Sequence, residues 1–175
     1  MNRILVIGHA GAGKSTLAAK LGSILKLPVI HLDQHFWKPG WVETEQGAWR
    51  EKVHQLVSGE KWIIDGNYDR TLDIRLPRAD AVIFLDFPTR ICMWRIMKRI
   101  ISGYGKTRLD LAPGCPEKID LEFLRWAWRF RRDVRPKVYA GLEKYYRGKE
   151  LIILTTPAEV SAFLSSLRDP SLRSG

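Results

Sequence analysis

Arg3-Ile4-Leu5-Val6-Ile7-Gly8-His9-Ala10-Gly11-Ala12-Gly13-Lys14-Ser15-Thr16-Leu17 decides the fold. Arg3 to Ile7 is a short, almost continuous apolar run, which reads as a buried strand. Lys14 to Leu25 then places Leu17, Leu21, Ile24 and Leu25 at helical spacing. Between them, Gly8 to Ser15 fits the pattern Gly, four residues, Gly-Lys and a hydroxyl residue, in the strand-then-helix setting that the pattern requires. Glycines allow a tight loop whose amides point inward, and the helix adds its own free amides and the positive end of its dipole, so the loop suits a polyphosphate. Gly8, His9, Ala10, Gly11, Ala12 and Gly13 are expected to line the phosphates. Lys14 is expected to hold the β- and γ-phosphates, Ser15 to coordinate magnesium and Thr16 to reach the α-phosphate. A dinucleotide fingerprint does not fit, because its second glycine would fall on Ala10.

Working outward, strands are expected at Pro28 to Leu32, Lys61 to Asp65, Ala81 to Asp86 and Leu151 to Leu154. Helices are expected at Glu45 to Val57, from Pro88 to about Ile101, and at Ala158 to Leu167. Ser102 to Lys118 is polar and bears Gly and Pro, which suits a lid. A helical pattern follows over 119–147, interrupted near Pro136, and Arg168 to Gly175 reads as a frayed tail. Apolar strands alternating with helices imply an α/β fold, a five-stranded parallel sheet with helices on both faces and a helical or loop lid. Ligands then bind beyond the carboxyl ends of the strands. Three strands end at an aspartate: Asp33, Asp65 and Asp86.

The chain of 175 residues fits one domain with a sizeable core, and 45% hydrophobic with 27% charged residues argues against disorder. No apolar run approaches the ~20 residues of a membrane span, and a cytoplasmic protein is expected. Cys92 and Cys115 have no metal-type spacing and read as reduced thiols. The net charge of +10 is localised: Arg90 to Arg147 holds fifteen Lys and Arg against six Asp and Glu, or +9. Arg95 and Arg99 share one face of an otherwise apolar helix. Arg125, Arg129 and Arg132 form a second stripe, with Arg131 and Arg135 close by. Arginines swung in by a closing segment stabilise the charge that phosphoryl transfer spreads over the γ-oxygens, and Arg99 and Arg132 are candidates. Trp62, Trp94 and Trp126 read as core; Trp37 and Trp41, which follow Asp33, read as pocket residues.

With these motifs the chain resembles the small P-loop kinases of the adenylate kinase type, within the P-loop NTPase fold. It looks most like the bacterial group called topology modulation proteins. The likeness spans nearly the whole chain and rests on the phosphate loop, Leu32-Asp33, Phe36-Trp37-Lys38-Pro39-Gly40-Trp41, Ile64-Asp65-Gly66-Asn67-Tyr68 and Pro113-Gly114-Cys115-Pro116. The resemblance implies that Asp33 faces the acceptor as base or clamp, and that Asp65 and Gly66 organise magnesium-bound water with the acceptor close by. It further implies that Asn67, Tyr68 and Arg70 contact the acceptor, that Arg95 packs on adenine and that Arg99 reaches phosphate. Two departures bear on the acceptor. Those kinases read Asp-Gly, aromatic, Pro-Arg where this chain reads Asp65-Gly66-Asn67-Tyr68-Asp69-Arg70, and the Thr and Arg that hold a nucleoside monophosphate are missing after Asp33.

The expected activity is transfer of the ATP γ-phosphoryl group, with Mg2+, to a small acceptor. The basic segment with its aromatics leaves two alternatives: an ATP-dependent nucleic-acid-binding module affecting DNA topology, and a slow nucleotide-regulated switch. Against the former, the chain has no helix-turn-helix, zinc or RNA-recognition signature.

Overall fold

The structure is a computed structural model and describes residues 1–146 and 148–168. β1 (Arg3–Gly8) is the centre of a five-stranded sheet. β5 (Trp62–Asp65) and β6 (Ala81–Leu85) flank it, β2 (Val29–His31) lies beyond β5, and β7 (Glu150–Leu154) lies beyond β6. All four pairings are parallel. The chain leaves β1 toward one edge and returns to its other side at β6, so the strand order reverses at β1. A crevice opens there beyond the strand ends.

Period-two alternation sorts each central strand between two cores. Leu5, Ile7, Ile64 and Phe84 point to one face, and Ile4, Val6, Ile63 and Ile83 to the other. The first face is covered by α3 (Gln46–Leu56), α4 (Leu72–Arg78) and α7 (Arg135–Tyr145), through Trp49, Val53, Leu72, Leu76, Val138 and Leu142. The second is covered by α1 (Lys14–Leu25) and α8 (Pro157–Arg168), through Leu17, Leu21 and Leu164. α5 (Thr89–Gly103) and α6 (Leu121–Asp133) close on one another around Ile96, Ile100 and Ala127.

Several elements differ from expectation. The stretch after β2, to which the sequence pattern assigns no element, forms a one-turn helix, α2 (Leu32–Phe36), and a small hairpin of β3 (Trp37–Lys38) and β4 (Val42–Glu43). α4 was not expected at all. The helical run after residue 118 splits into α6 and α7 at Val134, with Pro136 in the first turn of α7, where a missing N–H costs nothing. Trp94 and Trp126 are not core residues; they are 63% and 40% exposed, Trp94 on the outer face of α5 and Trp126 at the cavity described below, whereas Trp62 is buried as expected. The expected tail over 169–175 lies outside the described residues. Among the described residues no helix is long and apolar enough to cross a membrane.

Candidate active site

The phosphate loop is wedged between β6 and α5. A Cβ on Gly8 would stand 2.4 Å from the Leu85 carbonyl oxygen, and one on Gly11, at φ 76°, would stand 2.6 Å from that of Cys92. Gly13, left-handed at φ 96°, caps α1 without a side-chain acceptor, so the first amides of that helix are left for a ligand. Lys14 lies across the loop with its Nζ donating to the His9 carbonyl at 3.0 Å. Among the described residues it makes no ion pair, and burial pushes its ammonium pKa down. It is a desolvated cation with no direct counter-anion, although Asp33 and Asp65 act on it from farther away. Arg95 follows the loop, donating to the Ala12 carbonyl at 3.1 Å with its guanidinium over the Phe87 ring. The His9 side chain turns away into the core against Phe130, ring centroids 4.5 Å apart, so the loop uses only the backbone of this residue.

From the loop opens a cavity of about 1840 Å³, lined by Ala10 to Thr16, Asp33, Trp37, residues 65–70, Arg95 and Arg99. Asp33 accepts a hydrogen bond from the Tyr68 hydroxyl at 2.6 Å. Burial raises the Asp33 carboxyl pKa, and the Tyr68 bond and the nearby Lys14 oppose that shift. Asp65, at the end of β5, is 2.7 Å from His31 Nδ1, and this bond raises the imidazole pKa against the cost of burial. The intervening turn is held from beneath. Arg75 of α4, wholly buried, donates to the carbonyls of Gly66, Asn67 and Tyr68 at 3.0, 2.6 and 2.8 Å and to Thr71 Oγ1 at 3.2 Å. Asn67 Oδ1 accepts from the Gly8 amide at 3.4 Å, so this turn also touches the phosphate loop. Arg70 lines the cavity but is exposed at its mouth.

The segment between α5 and α6 is pinned at both ends. Gly105 N–H donates to the Glu117 carbonyl and Glu117 N–H to that of Lys106, both at 2.9 Å. Its tip is clasped to the hairpin: Gly40 N–H donates to the Gly114 carbonyl at 2.8 Å, Trp41 Nε1 to that of Pro116 at 3.0 Å, and Cys115 Sγ to that of Lys38 at 3.3 Å. The Glu117 carboxylate, 5% exposed, sits 2.9 Å from Arg99 Nε and 2.8 Å from Arg108 Nε. Arg108 also reaches Asp110 at 3.2 Å, so two guanidiniums and two carboxylates form one network, and the positive charge beside the phosphate loop comes from Lys14 and Arg95.

Most of the expected site residues are therefore brought together around one cavity. Arg132 is not: it faces outward, paired with its neighbour Asp133 at 2.6 Å, and does not line the cavity. Arg135 is committed to Asp86 at 2.7 Å, which also removes Asp86 from the ligand set. The reading of the sequence missed Arg108, Glu117, His31 and Arg75. The first two fall in a stretch without periodicity, where no pattern marks the inward side.

Sheet order, phosphate loop and cavity together define the P-loop kinase fold. A shikimate kinase of Acinetobacter baumannii, solved in complex with shikimate, matches 98% of this chain and 93% of its own at a TM-score of 0.57 and 16% identity. A gluconokinase of Sinorhizobium meliloti matches 99% and 98% at 0.54 and 17%. The uncharacterized protein YqaC of Bacillus subtilis is 32% identical over 128 residues, 71% of this chain and 70% of YqaC, and the chain belongs to the same family. An adenylate kinase of Clavibacter michiganensis is 28% identical over 109 residues, 61% of this chain but only 53% of that enzyme, about half its length. No family model matches the chain.

Proposed function

We propose that the protein is an ATP-dependent phosphotransferase acting on a hydroxyl group of a small acceptor. The observation that carries this reading is the half-buried Lys14, without an ion pair among the described residues, beside uncapped helix amides and facing the same cavity as Asp33. A polyphosphate supplies the missing negative charge. The loop residues Gly8 to Thr16, Arg95 and Arg99 hold it, and Arg108 takes the role expected of Arg132. Mg2+ fits the donors present: the Ser15 hydroxyl lines the cavity at the start of α1, where it would hold the ion together with phosphate oxygens and water. When bound, Mg2+ offsets charge on the phosphate oxygens.

Asp33 takes the proton of the acceptor hydroxyl. The hydroxyl oxygen forms a bond to the γ-phosphorus as the bond to the β–γ bridging oxygen breaks, giving ADP and the phosphorylated acceptor. Tyr68 orients Asp33, while Trp37, Asp65, Gly66, Asn67 and Arg70 surround the acceptor. Residues 102–118 act as the lid of a single unit. The likeness to topology modulation proteins rests on the sequence motifs alone, and a cytoplasmic location follows from the need for ATP.

Lys14→Ala is the test. Calorimetry should show Mg-ATP affinity reduced at least ~10-fold with the thermal unfolding of the parent retained; unchanged affinity would sink the assignment.

A further inference from the structure

The two halves of the cavity differ in charge. Beside the phosphate loop lie Lys14, Arg95, Arg99 and Arg108, against two acids, Glu117 and Asp110, the latter 3.2 Å from Arg108. Around Asp33 the wall is aromatic. Phe36, Trp37, Trp41, Trp49 and Tyr68 all line the cavity and form one connected set of rings, with centroids 4.7 to 5.3 Å apart at each contact. Asp33 lies against this wall through Tyr68, and Asp65, Glu43 and Glu122 add acid at the floor and mouth. The chain carries +10, yet this half runs the other way.

The cations there are mostly committed. Arg50 is locked to Asp73 at 2.7 Å and to the Arg70 carbonyl, and Lys118 sits 3.7 Å from Asp120. Arg75, buried beneath the turn, spends its donors on three carbonyls and the Thr71 hydroxyl. His31 is bound to Asp65 at 2.7 Å and offsets that acid when protonated. Among the described residues of this half Arg70 is left uncommitted, and it is exposed at the mouth, where solvent and salt screen it. Recognition of a phosphate or carboxylate calls for a guanidinium fork or equivalent donors inside the pocket, and a second anion close to Asp33 would be repelled. Ring faces and carboxylates instead suit a flat or apolar molecule that offers hydroxyl or ammonium donors.

Resting on the proposed phosphotransfer, we infer that the acceptor bears no negative charge. It is an uncharged or cationic hydroxyl compound with an apolar face that stacks on the rings, of the class of nucleosides, cyclic polyols and amino sugars. Nucleoside monophosphates and carboxylated acceptors are excluded by the charge of the wall. The reaction is then a first phosphorylation, which turns a neutral or cationic molecule into an anion that this wall repels, favouring product release.

Two measurements test this on the intact protein. Binding of Mg2+ with diadenosine pentaphosphate, which reaches from the ATP site into any neighbouring anion site, is compared with binding of Mg-ATP. Affinities within ~3-fold are expected, and binding of the pentaphosphate tighter by ~30-fold or more overturns the inference. ATP consumption is then compared for adenosine against AMP, glucose against glucuronate, and glucosamine against glucosamine 6-phosphate. A preference of at least ~10-fold for the uncharged or aminated member of a pair supports the inference, and a preference for the anionic member overturns it. Failure of Mg-ATP itself to bind would bring down the phosphotransferase reading and this inference with it. Binding of ATP with an anionic preference would bring down this inference alone.

Discussion

Arg75→Met tests how the Asp33 side of the cavity is built. The guanidinium is wholly buried and has no carboxylate partner among the described residues; its charge is met by three backbone carbonyls and one hydroxyl, and burial lowers its pKa to about 10. Methionine has a similar length and adds no polar atom, but leaves the carbonyls of residues 66, 67 and 68 without their donor. Hydrogen bonds to a charged donor contribute roughly 1.5–3 kcal/mol each net of desolvation. The three share one guanidinium and do not simply add, so the loss is about 3–5 kcal/mol. For a chain of this size that is a drop of roughly 10 °C in Tm, at about 2–4 °C per kcal/mol. The local effect goes further. The freed turn carries Tyr68, whose hydroxyl holds Asp33, so kcat should fall more than Mg-ATP affinity. Thermal unfolding, calorimetry with Mg-ATP and acceptor-dependent turnover read the three effects separately. A shift in Tm below 2 °C together with parental turnover would refute the view that Arg75 supports this turn.

Three further changes follow from the same contacts. Asp33→Asn, with nearly the same shape and no base, should lower acceptor-dependent turnover ~10²- to 10⁴-fold and leave the Mg-ATP dissociation constant within ~3-fold; parental turnover would make Asp33 a structural residue. The Tyr68 hydroxyl stabilises ionised Asp33, so Tyr68→Phe should raise a carboxyl pKa that burial already raises. The base is lost at higher pH, and the acid limb of the kcat profile should move up; an unmoved limb counts against Asp33 as the base. Glu117→Gln removes the one acid between Arg99 and Arg108 and should destabilise the fold by roughly 2–4 kcal/mol, with faster proteolytic cleavage within 104–117. Parental cleavage rates would show that the two arginines do not depend on that carboxylate.

The five sheet strands are legible because parallel strands covered on both faces read as apolar runs, bounded here by Gly, Pro and Asp. α4 is not legible, for a physical reason. Leu72, Ile74 and Leu76 alternate with Asp73 and Arg75 like a strand, and Pro77 follows as a breaker, so neither period nor boundary suggests a helix. The helix forms because it is sunk between α3 and α7, where even Arg75 is buried and its donors meet carbonyls from the preceding turn. The β3–β4 hairpin carries a turn signal in Pro39-Gly40, but strands of two residues are too short to show alternation. It is held by the segment 114–116, some 75 residues away, which a local pattern cannot reveal.

Within the site, the residues that motif spacing marks reach the cavity, and the choice among the arginines was open to a closer reading. Phe123, Ala127, Phe130 and Val134 recur at i, i+4, i+7 and i+11, which sets the inward face of α6. Ala127, Phe130 and Val134 are buried in the structure, and Phe123 packs on the small core between α5 and α6. On a 3.6-residue helix Arg132, midway between Phe130 and Val134, falls nearly opposite, and Arg125 and Arg129 fall on the same outer side. The stripe they make is a solvated face, and its regular spacing reports the helix rather than a ligand. Arg108 stands in a segment with no period to orient it. Its place is set by Glu117, nine residues on, which it shares with Arg99 from the preceding helix. A carboxylate 5% exposed between two cations is held there by the close of the loop at Gly105 and Lys106, so the fold of the segment, not the sequence of any one element, selects the arginine that lines the cavity.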